Sequence, residues 1–123
     1  MAVSVDARSK ARLVEQFADG VACQTDAIKR GDHKAGNRHA KRYIKAFAEL
    51  QSFGDEGREA LVQLLASSRD DVRVLAASFL LRYRTIQAIE VLEEAAKGRG
   101  IVAFGAAEAL KRWHEGTWNL DVG

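Results

Sequence analysis

With 123 residues, of which 47% are hydrophobic and 29% charged, the chain is long enough for one domain with a hydrophobic core. A formal net charge of +2 argues against a protein whose whole surface is built for nucleic acid. The one cysteine, Cys23, excludes an internal disulfide and fits a reducing compartment.

The N-terminal segment, MAVSVDARSKARL, lacks the apolar core of a secretory signal, and no apolar run approaches the roughly 18 residues of a membrane span. We therefore expect a cytoplasmic protein. Basic residues concentrate in one half of the chain. Residues 1–53 hold ten Lys and Arg against six Asp and Glu, a balance of +4, whereas residues 54–123 hold nine against eleven, a balance of −2.

Two long helices are predicted in the first half of the chain, over residues 8–30 and 32–52. Their apolar residues recur with helical spacing, and Tyr43, Ile44 and Phe47 belong to the predicted core stripe of the second. Asp32 is the predicted N-cap of that helix, and so short a loop predicts an antiparallel hairpin. Gly20 weakens the middle of the first helix, where it could bend.

Four shorter helices are predicted in the second half. They cover residues 57–67, 72–83, 86–97 and 101–114, and Gly116 ends the last one. Proline, which breaks helix interiors, is absent from the whole chain. The tail, residues 117–123, is expected to be irregular, with Trp118 packed back on the last hairpin.

A repeat relates two of these helices. Residues 72–83 read VRVLAASFLLRY and residues 102–113, placed 30 positions later, read VAFGAAEALKRW. Such a period is typical of stacked helical hairpins. The small pairs Ala76–Ala77 and Ala106–Ala107 are predicted to lie where neighbouring helices approach closely.

The run Asp70 to Ala77, followed by Leu80, resembles the inner helix of a HEAT-like repeat. The resemblance implies an all-α fold in which about six helices stack as hairpins into a short right-handed HEAT-like α-solenoid. Because the sequence contains no linker long enough to divide two domains, residues 1–123 are expected to form a single domain. Its parts would be an N-terminal hairpin, two repeats and a short tail, over residues 8–53, 54–84, 85–116 and 117–123.

A longer resemblance covers most of the chain. It is carried by the segments Gly31-Asp32, Ala60-Leu61, Val72-Arg73, Leu92-Glu93 and Glu115-Gly116-Thr117-Trp118. These segments resemble a small bacterial family known only as a domain of unknown function, some of whose members occur in settings suggestive of toxin–immunity systems. The resemblance implies a helical repeat fold and brings no catalytic residues.

The candidate functional residues form a basic stripe on the second predicted helix. At 100° per residue five cations fall on one side, and no acidic residue lies between Asp32 and Glu49 to pair with them inside the helix. The stripe is either a binding site for an acidic protein or for phosphates, or the solvated face that any surface helix needs. Its members are Lys34, Arg38, Lys41, Arg42 and Lys45.

Other chemistry finds little support in the sequence. His33 and His39 lack metal-ligand spacing, and Cys23 has no companion ligand. The Gly98-Arg99-Gly100 segment follows a helix and reads as a helix–helix turn. Asp70–Asp71, placed just before a helix, read as capping residues rather than a catalytic pair. We therefore expect no metal site, no cofactor and no enzymatic activity.

The sequence favours a non-enzymatic protein-binding module, such as an immunity-type inhibitor, that engages an acidic partner protein. The alternative is a HEAT-like protein that binds the nucleic-acid backbone, for which the small net charge is a weak basis.

Overall fold

Six α-helices and no strand make up residues 5–121, the part of the chain that the computed structural model describes. The all-α prediction is therefore confirmed. Within this range no helix is both long and apolar enough to cross a membrane. The helices are α1 (Val5–Lys29), α2 (His33–Gln51), α3 (Asp55–Val62), α4 (Asp70–Leu80), α5 (Thr85–Ala96) and α6 (Ile101–Glu115), and a 3₁₀ turn, Gln63–Ala66, follows α3.

The chain divides into two compact units, with the boundary between Leu61 and Val62. The first unit contains the long hairpin of α1 and α2 together with most of α3. The second contains the 3₁₀ turn, α4, α5 and α6. That the two units belong to the single domain expected from the sequence stays a prediction.

In the first unit, α1 and α2 pack along their length as the predicted antiparallel hairpin. The large apolar side chains Phe17, Phe47 and Leu50 are almost fully buried. The rings of Phe17 and Tyr43 meet edge to face, with centroids 5.6 Å apart, a geometry that suits the ring quadrupoles. The apolar stripes at helical spacing are therefore what hold this hairpin together.

The turn between α1 and α2 follows the sequence prediction. Gly31 adopts a φ of +77°, the left-handed conformation that ends a helix most easily when no Cβ is present. Its amide donates to the Ile28 carbonyl and the Asp32 amide donates to the Ala27 carbonyl. The Asp32 carboxylate then accepts from the Ala35 amide at 3.0 Å, which confirms Asp32 as the N-cap of α2.

Gly20 was predicted to weaken the middle of the first helix, but α1 is helical throughout residues 5–29. A Cβ added at Gly20 would lie 3.2 Å from the His39 carbonyl oxygen and 3.2 Å from the Tyr43 amide nitrogen. The glycine therefore lets the two backbones of the hairpin approach closely.

In the second unit, α4, α5 and α6 bury a shared core of Val74, Ala77, Leu81, Ala88, Leu92 and Ala106. The tail returns to this core as predicted. The rings of Trp113 and Trp118 meet edge to face at 5.3 Å, and the indole nitrogen of Trp118 donates to the Ser78 carbonyl at 2.8 Å. The left-handed Gly116 makes the reversal that brings Trp118 there.

Three details of the second half differ from the predictions. The third helix begins at Asp55 and changes to 3₁₀ geometry after Val62. The fourth ends at Leu80, because the amides of both Tyr83 and Arg84 turn back to the Leu80 carbonyl. In the small pairs, the alanines at 76, 77 and 106 are fully buried, but Ala107 is exposed, so only one member of the second pair contacts a neighbour closely.

Candidate functional site

The candidate site is the outer face of α2. The inner face packs on α1 through Ala35, Tyr43, Ala46, Phe47 and Leu50, so the polar residues of α2 must point away from the hairpin. All five cations of the predicted stripe are exposed. The helix carries no acidic residue in its first turn and no basic residue in its last turn.

Arg42 differs from the other four cations because the hairpin already holds it. Its Nη2 donates to Asp19 Oδ2 on α1 at 2.6 Å, and its Nη1 lies 2.8 Å from His39 Nδ1. The hydrogen bond that Arg42 donates to Asp19 raises the pKa of the Arg42 guanidinium, and burial opposes this rise with a smaller effect. Arg42 therefore forms the edge of the basic stripe, with its charge offset by a carboxylate.

The side chains of Lys34, Arg38, Lys41 and Lys45 form no ion pair or hydrogen bond with any other residue in the described range 5–121. We call these four residues the cation face. They span 11 positions, or about 17 Å along the helix axis at 1.5 Å per residue. Lys34 also lies in the first turn of α2, where the helix dipole disfavours a positive charge.

Ile44 lies beside the cation face with 52% of its surface exposed. The prediction that Ile44 belongs to the core stripe with Tyr43 and Phe47 is therefore wrong. Measured at 100° per residue, Ile44 lies about 90° from the centre of the cation face and about 100° from Tyr43. The exposed Ala48 lies on the same flank. A helical wheel places Ile44 at the boundary between the apolar and the basic sides of α2, so its exposure could have been predicted from the sequence alone.

A groove of about 520 Å³ opens in the second unit, beside the turn between α5 and α6. Its lining carries charges of both signs, with the acidic residues Asp70, Glu90 and Glu94 and the basic residues Arg73 and Arg99. The Gly98-Arg99-Gly100 segment is the turn into α6, which begins without a side-chain cap, so its prediction as a helix–helix turn is confirmed. The three carboxylates make the groove unsuitable for a phosphate.

Histidine, cysteine and acidic side chains do not gather into any group of three that could hold a metal ion within residues 5–121. Cys23 is partly buried on α1, and its Sγ lies 3.9 Å from the Asp19 carboxylate that pairs with Arg42. Asp71, one of the two predicted capping carboxylates, is buried. It accepts from the Val72 amide at 2.8 Å and from the Arg69 guanidinium at 2.9 and 3.0 Å.

A family model described as "Domain of unknown function (DUF2019)" matches residues 11–112. Among solved structures, the chain is similar to the crystal structure of the protein RPA1889 from Rhodopseudomonas palustris CGA009. The two are 24% identical, with a TM-score of 0.84, and the match covers 96% of this chain and 98% of the other. At this level of identity the likeness concerns the fold alone. No curated protein matches the chain in sequence.

Proposed function

The chain belongs to the DUF2019 family, a domain of unknown function, and we propose that it is a non-enzymatic protein-binding module. The charged surface of the protein itself supports this proposal. The module binds an acidic partner protein through the cation face of α2, with Arg42 at the edge of the contact. The proposed setting is cytoplasmic, which the single cysteine of the sequence fits. The proposal needs no cofactor and no metal.

The observation that carries this proposal is that the side chains of Lys34, Arg38, Lys41 and Lys45 have no partner among residues 5–121. Four like charges along three turns repel one another, and like charges four residues apart destabilise an isolated helix slightly. Lys34 adds an unfavourable interaction with the helix dipole. An arrangement that disfavours the free helix in these two ways is consistent with a surface that an acidic partner neutralises.

The fold part of the proposal is a HEAT-like stack of helical hairpins. Its support is the 30-residue repeat that relates α4 to α6, together with full burial of the equivalent residues Ala76 and Ala106. Stacks of this kind usually bind macromolecules on an extended surface. In the proposed solenoid, α2 would therefore provide a binding surface and no catalytic residues.

The finer form of the proposal is an immunity-type inhibitor. Its support is the resemblance to a family with members in settings suggestive of toxin–immunity systems, together with the localised positive charge. An acidic toxin would be steered towards the cation face, and complementary charge raises association rates well above the neutral range. The product of a neighbouring gene is the first partner to test.

A second candidate function is binding to the nucleic-acid backbone, favoured by the same four unpaired cations. It predicts that the logarithm of affinity falls with the logarithm of salt concentration with a slope of about −3 to −4 for four phosphate contacts. The mild net charge of +2 and the acidic balance of residues 54–123 do not support a broad phosphate-binding surface. We therefore rank it second.

The test compares two quadruple charge reversals with equal change in net charge. The first variant, K34E/R38E/K41E/K45E, reverses the cation face. The control variant reverses four exposed cations elsewhere that likewise lack a partner among the described residues, and it is R8E/R12E/K29E/K111E. Both should keep the wild-type melting temperature to within a few degrees, because surface substitutions change stability little.

The partner, captured with the wild-type protein and then purified, should lose at least about 100-fold in affinity for the first variant and less than about fivefold for the control. Equal affinity for the first variant and the wild type would show that the cation face is only a solvated surface. Tight binding of duplex DNA at physiological salt would favour the second candidate.

A further inference from the structure

We propose that the element of the partner recognised by α2 is an acidic amphipathic α-helix, lying lengthwise along the cation face. This inference rests on the proposed function and adds to it the secondary structure and side-chain pattern of the partner. Three features of α2 carry it: the spacing of the cations, the apolar flank beside them, and the small residue at the end of that flank.

The spacing of the cations matches that of a helical partner. Lys34, Arg38, Lys41 and Lys45 stand at intervals of four, three and four residues. Residues repeating in this way stay along one line of a helix, with a drift of only about 20° per seven residues. A second helix with carboxylates at the same intervals can therefore meet all four cations at once, as residues do along the contact line of paired helices.

The flank of the cation face supplies an apolar contact. Asn37, Lys41, Ile44 and Ala48 form a second row at the same intervals of four, three and four, and all four are exposed. The row begins with two polar residues, Asn37 and Lys41, and ends with two apolar ones, Ile44 and Ala48. The Ile44 side chain is 52% exposed. A ligand that offered only negative charge, such as a phosphate backbone, would leave Ile44 without an apolar contact.

Ala48 makes a close approach possible at the apolar end of this row. A small side chain at a contact lets two helices come to about 8 Å, rather than the 10 Å that bulky residues impose. On the other side of the cation face, Arg42 is held by Asp19 at 2.6 Å, so its charge is already offset and attracts the partner helix less. The observations together describe a partner helix with acidic residues in one row and short apolar residues in the next.

The experiment uses designed peptides as probes, because the chemistry of the partner is defined while its identity is not. The first probe is a fluorescein-labelled, hydrocarbon-stapled helix of about 20 residues, a length at which an unaided helix is only marginally stable. It carries four glutamates at intervals of four, three and four, with two leucines in the adjacent row. The second probe has the same composition and staple, but its glutamates and leucines are distributed around the helix.

The first probe should bind the wild-type protein at least about tenfold more tightly than the second, since only the first can satisfy all four cations and Ile44 together. The variant Ile44→Ser should weaken binding of the first probe about fivefold to tenfold through lost apolar contact. The matched control is Ile101→Ser on α6, whose side chain is 55% exposed, and it should bind like the wild type. Thermal melting of both variants establishes that they fold.

The outcomes separate this inference from the proposed function. If both probes bind equally and Ile44→Ser has no effect, while K34E/R38E/K41E/K45E still abolishes binding, the partner element is a source of negative charge and not a helix of this pattern. That result overturns the inference and leaves the proposed function intact. Absence of binding by the first probe, when the natural partner does bind the cation face, also overturns the inference.

Discussion

At Gly57 the fold leaves no space for a single methyl group. A Cβ added there would lie 1.7 Å from the Leu50 carbonyl oxygen and 2.6 Å from the carbonyl carbon, and both atoms belong to the backbone of α2. Gly57 was predicted as the first residue of the third helix, and it lies two residues inside α3 instead. Its role is to let the start of α3 pack directly on the end of α2.

Gly57→Ala should therefore destabilise the protein by about 3 kcal/mol, because backbone must move to admit the methyl group. The matched control is Gly105→Ala, in the interior of α6, where an added Cβ meets no atom within 4 Å. This control should stabilise the protein by about 0.5–1 kcal/mol, since alanine loses less entropy than glycine in a helix. Urea denaturation of both variants measures the two effects. A Gly57→Ala protein as stable as the wild type would contradict the packing of α3 on α2.

Tyr43 should make the stability of the first unit depend on pH in the alkaline range. Burial raises the pKa of the Tyr43 hydroxyl above its ordinary value of 10.0, and a hydrogen bond with Gln24 opposes the rise only in part. The neutral hydroxyl is favoured by the folded state, so its contribution to stability is present below pH 10 and is lost as the pH rises through the raised pKa.

Tyr43→Phe removes this titration and keeps the ring against Phe17. Above pH 10 the wild type should therefore lose more stability than the variant. Below pH 9 the difference between the two should be constant. Thermal melts from pH 7 to pH 11 measure the comparison, and the difference cancels other groups that titrate in the same range. If the two proteins lose stability in parallel above pH 10, Tyr43 is not buried as the structure has it.

At the level of whole elements, α4 and α6 are the two copies of one repeat, but they have different surroundings. Val74 on α4 is buried, whereas its equivalent on α6, Phe104, is 66% exposed. Ala77 is buried and its equivalent Ala107 is exposed. The difference follows from position, because α5 and α6 cover this face of α4 in the core of the second unit.

Ala106→Leu should destabilise the protein by about 1–3 kcal/mol, since Ala106 is fully buried in the core that α4, α5 and α6 share. Ala107→Leu, one position further along the same helix, should change stability by less than about 0.5 kcal/mol because Ala107 is exposed. Differential scanning calorimetry of the pair tests the register of α6. Equal melting temperatures for the two variants would mean that α6 is rotated relative to the core.

The existence and order of the six helices could be predicted from the sequence because apolar residues recur at helical spacing in every segment. The ends of α3 and α4 could not. These ends depend on which carbonyl groups accept hydrogen bonds from the amides of residues such as Tyr83 and Arg84, and tertiary packing determines that pairing. The N-cap at Asp32 was predictable because its hydrogen bond to Ala35 is local.

The candidate site was predictable to the same extent. A wheel at 100° per residue places all five cations on one side of α2, and all five are exposed. The wheel cannot tell which of them have partners on another helix. The pairing of Arg42 with Asp19 joins residues 23 positions apart, so only the packed hairpin separates Arg42 from the four unpaired cations.

At the scale of the whole molecule, the net charge of +2 hides an uneven distribution. The basic balance belongs to residues 1–53 and includes the cation face, while residues 54–123 are acidic on balance. An acidic partner of the proposed kind would be attracted to the cation face and repelled by the acidic balance of residues 54–123, which would favour a single orientation on encounter. The attraction between exposed charges falls over about 8 Å at physiological salt, so association should be faster at low salt.

Lysine-reactivity footprinting tests the proposed contact most directly. The protein is acetylated briefly, alone and in saturating complex with its purified partner, and the rate at each lysine is read by mass spectrometry. Lys34, Lys41 and Lys45 should react at least about fivefold more slowly in the complex, while the exposed Lys29 and Lys111 should keep their free rates. Protection of Lys29 or Lys111, with unchanged rates at the three lysines of the cation face, would contradict the proposal.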